Sequence, residues 1–391
     1  VEPIMKTVVM KFGGSSVADT TRLRQVAEIV VRRQQADNRV VVVVSAMGKT
    51  TDALIAQARE VSANPQQREL DMLVTAGERI SMALLSMAIQ ELGGDAISFT
   101  GSQSGIITEP THQGARILEV RPFRLIEALE KGYIVIVAGY QGVSTTKEIT
   151  TLGRGGSDIT AVALAAALGA DSCEIYSDVD GVYTGDPHIC PQAQLLREIP
   201  YEVMQTMALA GAKVLNADAV EFAKKAGITI LARKTGDSSG RETKVHNTAM
   251  GSGATAIVLA EKVSQINGNG NLPELLTEIN KAGGRVMALY QRETFDLLVD
   301  RTGIPGGDAG RVAQLAKAAG FSANEVAVVT VVGSGLGARP SLFEKVKVTL
   351  SEINITILGV FTNDLALSIV IEPTYATGAV RALHQALIVG K

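Results

Sequence analysis

The side chains best suited to chemistry in this chain sit among glycines. Thr151-Leu152-Gly153-Arg154-Gly155-Gly156-Ser157-Asp158 places one arginine among three glycines. A turn accounts for the glycines and a helix cap accounts for Ser157 or Asp158, but neither accounts for the arginine. A guanidinium at a helix start suits bidentate recognition of a carboxylate or phosphate. In Lys11-Phe12-Gly13-Gly14-Ser15-Ser16 a lysine ends an apolar run. The glycines after it let backbone N–H groups approach an anion, although a plain turn explains them equally. Ser177-Asp178-Val179-Asp180-Gly181-Val182-Tyr183-Thr184-Gly185-Asp186-Pro187 is acidic and glycine-rich, and follows an apolar run. Ligands of open α/β sheets gather beyond such strand ends; a simple Asp/Gly turn is the competing reading. The segment lacks the ligand spacing of a calcium loop. Glu78, in Thr75-Ala76-Gly77-Glu78-Arg79, lies in a helical stretch and by itself reads as a solvated surface charge before a functional one.

Other chemistries are disfavoured. Gly48-Lys49-Thr50 imitates the end of a P-loop, but the position that should hold the first glycine is Val43, inside a strand. The four histidines, His112, His188, His246 and His384, have no second ligand at metal spacing and no nucleophile–acid arrangement.

These segments need a scaffold of alternating strands and helices. Thr7–Phe12, the five valines Val40–Val44, Ala96–Phe99, Tyr133–Ala138, Ser172–Tyr176 and Thr229–Ala232 read as strands. A run of valines cannot alternate faces, so that strand is buried on both sides. Helical spacing covers 19–33, 51–59, 69–92, 158–168, 201–210 and 218–226. The alternation predicts a mostly parallel sheet covered on both faces. Polar, glycine-rich residues 237–253 read as a domain boundary. Beyond it, two βαββα stretches of about 65–75 residues, each with room for a last strand, predict paired α+β modules sharing a sheet.

Composition bounds the partners. The chain has 391 residues, a formal charge of −3, no Trp and 4% aromatics. It is therefore no generally basic nucleic-acid binder and no base-stacking platform. Two cysteines, Cys173 and Cys190, suit a reducing, cytoplasmic setting without a disulfide framework. No apolar run reaches the ~18–20 residues of a membrane helix, and no secretory leader is evident. Met5 is a plausible start preceded by Val1–Ile4, and Met250 a conceivable second start.

Taken in order, KFGGSS, VVSAMG, TAGERIS, TGSQSGI, VAGYQGV, TTLGRGGSD, YSDVDGVYTGDP and GAKVLN resemble the monofunctional aspartate kinases of the amino-acid kinase superfamily. The resemblance covers roughly residues 7–235. Residues 325–386 resemble the second of the family's paired ACT modules well, and 254–320 resemble the first weakly. It implies a three-layer α/β sandwich over 5–245, then two βαββαβ ACT-like modules over 254–322 and 323–391. It implies transfer of the ATP γ-phosphoryl to the β-carboxylate of L-aspartate, with Mg²⁺ held mainly by the phosphates. That carboxylate is already ionised at neutral pH, so the chemistry calls for cations and N–H donors rather than a base.

Carried over by motif, Lys11 would stabilise the transferred phosphoryl and Asp158 would orient it. Gly13, Gly14 and Ser15 would donate to the phosphates. Ser45 and Thr51 would contact aspartate, and Glu78 would take its ammonium. Arg154 would bind a substrate carboxylate beside Ser157, with Tyr140 lining the pocket. Ser177, Asp178, Tyr183, His188 and Lys213 would hold the nucleotide.

Four departures stand out. His188 replaces a common arginine, which predicts a weaker ATP contact. Asn216 stands where other residues are usual, and 235–243 lacks the usual Pro-Gly-Thr ending. In the first module, Asn267-Gly268-Asn269-Gly270-Asn271 replaces an Asp-Lys-Pro-Gly-like turn, which predicts altered or weak feedback by lysine or threonine. ACT modules that pair across subunits imply a homodimer or larger assembly. The competing functions are another carboxylate kinase, for glutamate or acetylglutamate, and a non-catalytic amino-acid sensor. The sensor would have lost Lys11, Arg154 or Asp158, and all three are present.

Overall fold

The computed structural model describes residues 5–390 apart from Met250, Arg292 and Ala338. The readings of Val1–Ile4 and Met250 therefore lie outside the described residues. The chain divides into two compact units. The first runs to Val182 and adds Leu196–Gln205 and Val214–Thr248. The second holds Tyr183–Leu195, Thr206–Lys213 and the chain from Ala249 onward.

An eight-stranded sheet organises the first unit. From one edge to the other, its strands are Glu198–Pro200, Glu242–His246, Thr229–Lys234, Ser172–Ser177, Lys6–Phe12, Asn38–Val44, Ile134–Ala138 and Ala96–Phe99. Neighbours are parallel except Thr229–Lys234 with Glu242–His246. Only 235–241 join that pair, too few for a parallel crossover. Glu242–His246 runs through the stretch read from sequence as a polar boundary. A smaller sheet of Ile106–Thr108, Ile117–Val120, Gln141–Ser144 and Ile149–Thr151 was not legible as strands.

Residue type explains the central strands. Val40–Val44 are all buried, as a strand covered on both faces requires. Val8, Met10 and Phe12 pack with Val26, Val30, Leu85 and Ile89 from two helices, Thr20–Gln35 and Ala76–Glu91. Each such side chain contributes roughly 1.5–3 kcal/mol by leaving water. Asp19 caps the first of these helices by accepting the Arg22 N–H at 2.9 Å. The Ala-rich helix Gly156–Ala167 is buried on almost every side, which small side chains permit. By length and composition alone, Gln67–Glu91 could cross a membrane. Here it forms two helices, Gln67–Val74 and Ala76–Glu91, and buries the ionisable Asp71 and Glu78.

The second unit is built on one six-stranded antiparallel sheet. Its order is Arg285–Gln291, Phe295–Asp300, Gly253–Gly268, Phe321–Ser334, Ala366–Ile371, Gly359–Asn363. The sequence suggests a strand over 255–260; Gly253–Gly268 is longer because it pairs with Phe321–Ser334 at both ends, across two register shifts. Ala260, Val263, Leu298, Val326, Val328 and Val370 of its strands form one core, and helices pack on the sheet to form two more. Helices Leu272–Ala282 and Ala309–Ala318 supply one, and Pro340–Glu352 and Ala376–His384 the other. Cys190, Ile189 and Ala193 join the latter core.

Candidate active site

Lys6–Phe12 delivers Lys11 to the carboxyl edge of the sheet. Phe12 lies in register with Val44 and Tyr176, and Val44 with Ala138. Parallel strands thus end together, and the loops that follow are Gly13–Ser16, Ser45–Lys49, Gly139–Tyr140 and the segment after Ser177. Backbone hydrogen bonds tie them. Gly13 N–H donates to Tyr176 O at 3.2 Å, Ser45 N–H to Phe12 O at 3.2 Å, and Gly48 N–H to Gly14 O at 3.0 Å. A Cβ on Gly14 would lie 2.9 Å from Ala46 O, so this crossing of loops requires glycine.

Asp158 lies in the first turn of Gly156–Ala167. Lys11 Nζ meets Asp158 Oδ1 at 2.6 Å, with side chains 12% and 11% exposed. The sequence placed these residues in one site, and the structure joins them directly. Ser157 is buried beside Gly139, where an added Cβ would lie 2.6 Å from Ser157 Oγ. Tyr140 holds φ +69° and donates its N–H to Thr160 Oγ1 at 3.1 Å. Burial, and then the nearby charges of Glu78 and Asp71, raise the phenol's pKa. A hydrogen bond with Thr151 and the Arg154 charge oppose that rise.

Glu78 lies in the first turn of Ala76–Glu91. Its Oε1 accepts the Ala46 N–H at 3.2 Å, while buried Oε2 has no hydrogen-bond partner. Desolvation raises its pKa to about 7, against the opposing effect of backbone hydrogen bonds. Thr51 lies in the helix Thr50–Val61 that leaves the same loop. Arg154 is exposed and forms no salt bridge among the described residues.

Sequence reasoning missed several residues. Asp71 is fully buried and accepts from His112 Nδ1 at 2.7 Å, Gln113 Nε2 at 2.6 Å and Thr151 Oγ1 at 2.7 Å. A charged residue inside Leu70–Val74 was the available signal. Ser16 and Thr235 hydroxyls meet at 2.7 Å, and Thr235 N–H donates to Ser177 O at 2.9 Å. A cleft of about 430 Å³ opens there, lined by Asp180, Lys234, Thr235, Gly236, Asp237, Ser239 and Arg241. From sequence, 235–243 stands out for the ending it lacks and 237–253 as a domain boundary, while Asp180 lies in the acidic glycine-rich loop.

The amino acid kinase family model matches residues 6–232. The aspartokinase of Mycolicibacterium smegmatis is 43% identical over 408 residues, covering 99% of this chain and 97% of the relative. That of Corynebacterium glutamicum is 40% identical over 409 residues, with the same coverage. The chain belongs to the aspartokinase family. Among solved structures, Escherichia coli aspartokinase III in complex with aspartate and ADP has a TM-score of 0.82 at 24% identity, covering 98% of this chain and 100% of that one. It shares the fold. Aspartate kinase from Synechocystis is 34% identical, with a TM-score of 0.57, covering 97% of this chain and 69% of that one.

Of the residues singled out for aspartokinase chemistry, Lys11, Gly13, Gly14, Ser15, Ser45, Thr51, Glu78, Tyr140, Arg154, Ser157, Asp158, Ser177 and Asp178 all fall in the first unit. Tyr183, His188 and Lys213 fall in the second. Among the described residues no cluster of three or more His, Cys, Asp or Glu could cage a metal ion.

Proposed function

We propose that this chain transfers the γ-phosphoryl group of ATP to the β-carboxylate of L-aspartate, giving 4-phospho-L-aspartate for lysine, threonine and methionine synthesis. A β-carboxylate oxygen attacks the γ-phosphorus, the bond to the β,γ-bridging oxygen breaks, and ADP leaves. The nucleophile is already an anion, so no proton is abstracted. Lys11 stabilises charge on the transferring group, and Asp158 holds the ammonium in place. Gly13, Gly14 and Ser15 offer N–H donors. Arg154 and Ser157 take the substrate carboxylate; Ser45, Thr51 and Tyr140 line its pocket. Ser177 and Asp178 hold the nucleotide, and the Lys234–Arg241 cleft takes its base and ribose; Tyr183, His188 and Lys213 are each proposed as nucleotide contacts by their motifs alone. Mg²⁺, held mainly by the phosphates, would supply charge neutralisation there.

The observation that carries the reading is Glu78 Oε2, a buried acceptor without a donor. Native proteins seldom leave such an oxygen unsatisfied. An α-ammonium group supplies what it lacks and selects an amino acid over a simple dicarboxylate. Hydroxylamine trapping of acyl phosphate, with aspartate, glutamate and acetylglutamate compared, tests this. Hydroxamate from aspartate alone is expected; equal turnover of glutamate or acetylglutamate defeats the reading.

We assign 5–245 as the catalytic domain, and 254–322 and 323–391 as ACT-like modules in a cytosolic homo-oligomer. Edge strands Arg285–Gln291 and Gly359–Asn363 expose Leu289, Tyr290 and Val360, which suits pairing with a second copy. Escherichia coli aspartokinase III has also been solved with lysine and aspartate, at 25% identity and a TM-score of 0.78. For this chain we propose lysine or threonine as effectors, acting weakly at the first module. There Gly270 leaves no room for a side chain, since a Cβ would lie 1.9 Å from Ala319 O. Inhibition by millimolar lysine or threonine as strong as in ordinary relatives would contradict that.

A further inference from the structure

Asn216 joins two elements with one amide. Its Oδ1 accepts from Asp218 N–H at 2.9 Å and Ala219 N–H at 3.0 Å, capping the helix Ala217–Ala226. Its Nδ2 donates to the Arg154 carbonyl at 3.1 Å. The partners fix the orientation of the amide, because its oxygen faces two donors and its nitrogen faces an acceptor. The next residue, Gly155, holds φ +73°, and a Cβ there would lie 2.3 Å from Asn216 Nδ2. The opposite end of the same loop is fixed separately, by Asp71 on the Thr151 N–H and hydroxyl. Between these two anchors Arg154 is exposed, with no ion pair among the described residues to orient it. The direction in which its guanidinium leaves the backbone therefore depends on how its own peptide is held.

We infer that Asn216 is a positioning residue for Arg154, setting its backbone so that the guanidinium meets the substrate carboxylate. This rests on the carboxylate-binding role proposed for Arg154. Capping alone does not call for asparagine, since serine and aspartate cap equally well. An amide offers an acceptor and a donor on two separate atoms, so Oδ1 can face the helix N–H groups while Nδ2 faces the Arg154 carbonyl; a serine hydroxyl has one oxygen for both and a carboxylate has no donor.

Asn216→Ser and Asn216→Asp separate the two duties. Both keep an acceptor for the helix, and neither donates to the Arg154 carbonyl in this geometry. The aspartate KM should rise roughly five- to twentyfold, the scale of one lost hydrogen bond with some misalignment. kcat should change less than about threefold, because binding common to ground and transition states affects KM alone. A purely structural role would lower the melting temperature and the active fraction without moving KM. Arg154→Gln is measured alongside, and Asn216→Ser is repeated in that background. If Arg154→Gln leaves the aspartate KM unchanged, the role of Arg154 fails and this inference with it. If Arg154→Gln raises KM while Asn216→Ser alone does not, or if the two effects add in full, the positioning role alone is overturned. Loss of the Asn216→Ser effect in the Arg154→Gln background is the expected result.

Discussion

Lys11 Nζ lies 2.6 Å from Asp158 Oδ1, and both side chains are largely withdrawn from water. A strand end and a helix start thus share one desolvated ion pair between glycine-rich loops. In such surroundings a cation acts on developing phosphoryl charge far more strongly than it would in water.

Lys11→Ala should therefore cost much more than tenfold in kcat. A loss within tenfold corresponds to only ~1.4 kcal/mol of transition-state stabilisation and would remove Lys11 from that role. Asp158→Asn should lower kcat as well, and stability with it, because it strands a buried ammonium; breaking such pairs costs about 3–5 kcal/mol. Steady-state kinetics and calorimetric melting check both. The chain has no Trp, so tryptophan fluorescence cannot serve.

Glu78 ties pH to stability and, in its proposed role, to substrate binding. Burial raises its pKa from 4.5 to about 7. Between those values the folded protein holds a proton that the unfolded chain has released, so this group lowers stability as pH rises through the window. Above pH 7 the cost is roughly 3 kcal/mol for a shift of that size. Glu78→Gln should melt higher than the unliganded parent at pH 8, with the gain fading toward pH 5. The same change should raise the aspartate KM strongly and flatten its pH dependence. In the parent, KM should climb as pH falls below 7 and the carboxylate is lost. A variant less stable than the parent at pH 8 would contradict the assignment.

The parallel strands were legible because their signal is local: Val40–Val44 can only be a strand covered on both faces. The Lys11 and Arg154 segments were legible as turns at a strand end and a helix start because glycine marks such turns; the role of each cation came from the resemblance. What sequence left out depends on distant partners. Asp71 lies 80 residues from Thr151, its hydrogen-bond partner. Asn216 reads as an ordinary helix cap until the Arg154 carbonyl is seen against it. The short strands of the small sheet, three or four residues each, carry too little periodicity to stand out. Glu242–His246 alternates buried and exposed residues, but its polar flanks obscure it.

Asp71 anchors the base of the Arg154 loop through several donors at once. Asp71→Asn keeps the shape but turns an NH₂ group toward hydrogens that need an acceptor. Stability should fall by about 3 kcal/mol, the scale of a buried charge network losing a member. Thr151→Val removes one donor and should cost about 1–2 kcal/mol. Both should raise the aspartate KM. Urea unfolding and kinetics on the two variants supply the check. An Asp71→Asn protein as stable as the parent would show that the carboxylate does not organise the loop.

The proposed nucleotide contact of His188 is open to a charge test. It is exposed, and its N–H donates to Asp186 Oδ1 at 2.9 Å, so the backbone is already ordered without help from the ring. His188→Arg adds a permanent charge at little structural cost. The ATP KM should fall severalfold at low ionic strength, with the gain shrinking as salt screens it. An unchanged KM would place this position away from the phosphates.

His384 gives the second unit a pH dependence of opposite sign to Glu78. Its Nε2 lies 2.9 Å from Thr184 Oγ1, which also accepts the Gln194 N–H at 3.0 Å. One helical turn earlier, Arg381 donates to the Ile189 carbonyl at 2.9 Å. Burial lowers the His384 pKa below the usual 6.5. The unfolded chain therefore takes up a proton first as pH falls, and stability is lost from about pH 6.5 downward. His384→Gln keeps a polar group near Thr184 but cannot charge. It should melt below the parent at pH 7.5, through lost packing, and that deficit should shrink by pH 5.5. Subtracting parent from variant at each pH cancels the Glu78 contribution, which both proteins share. A deficit that stays constant from pH 7.5 to 5.5 would mean that the imidazole does not titrate against folding.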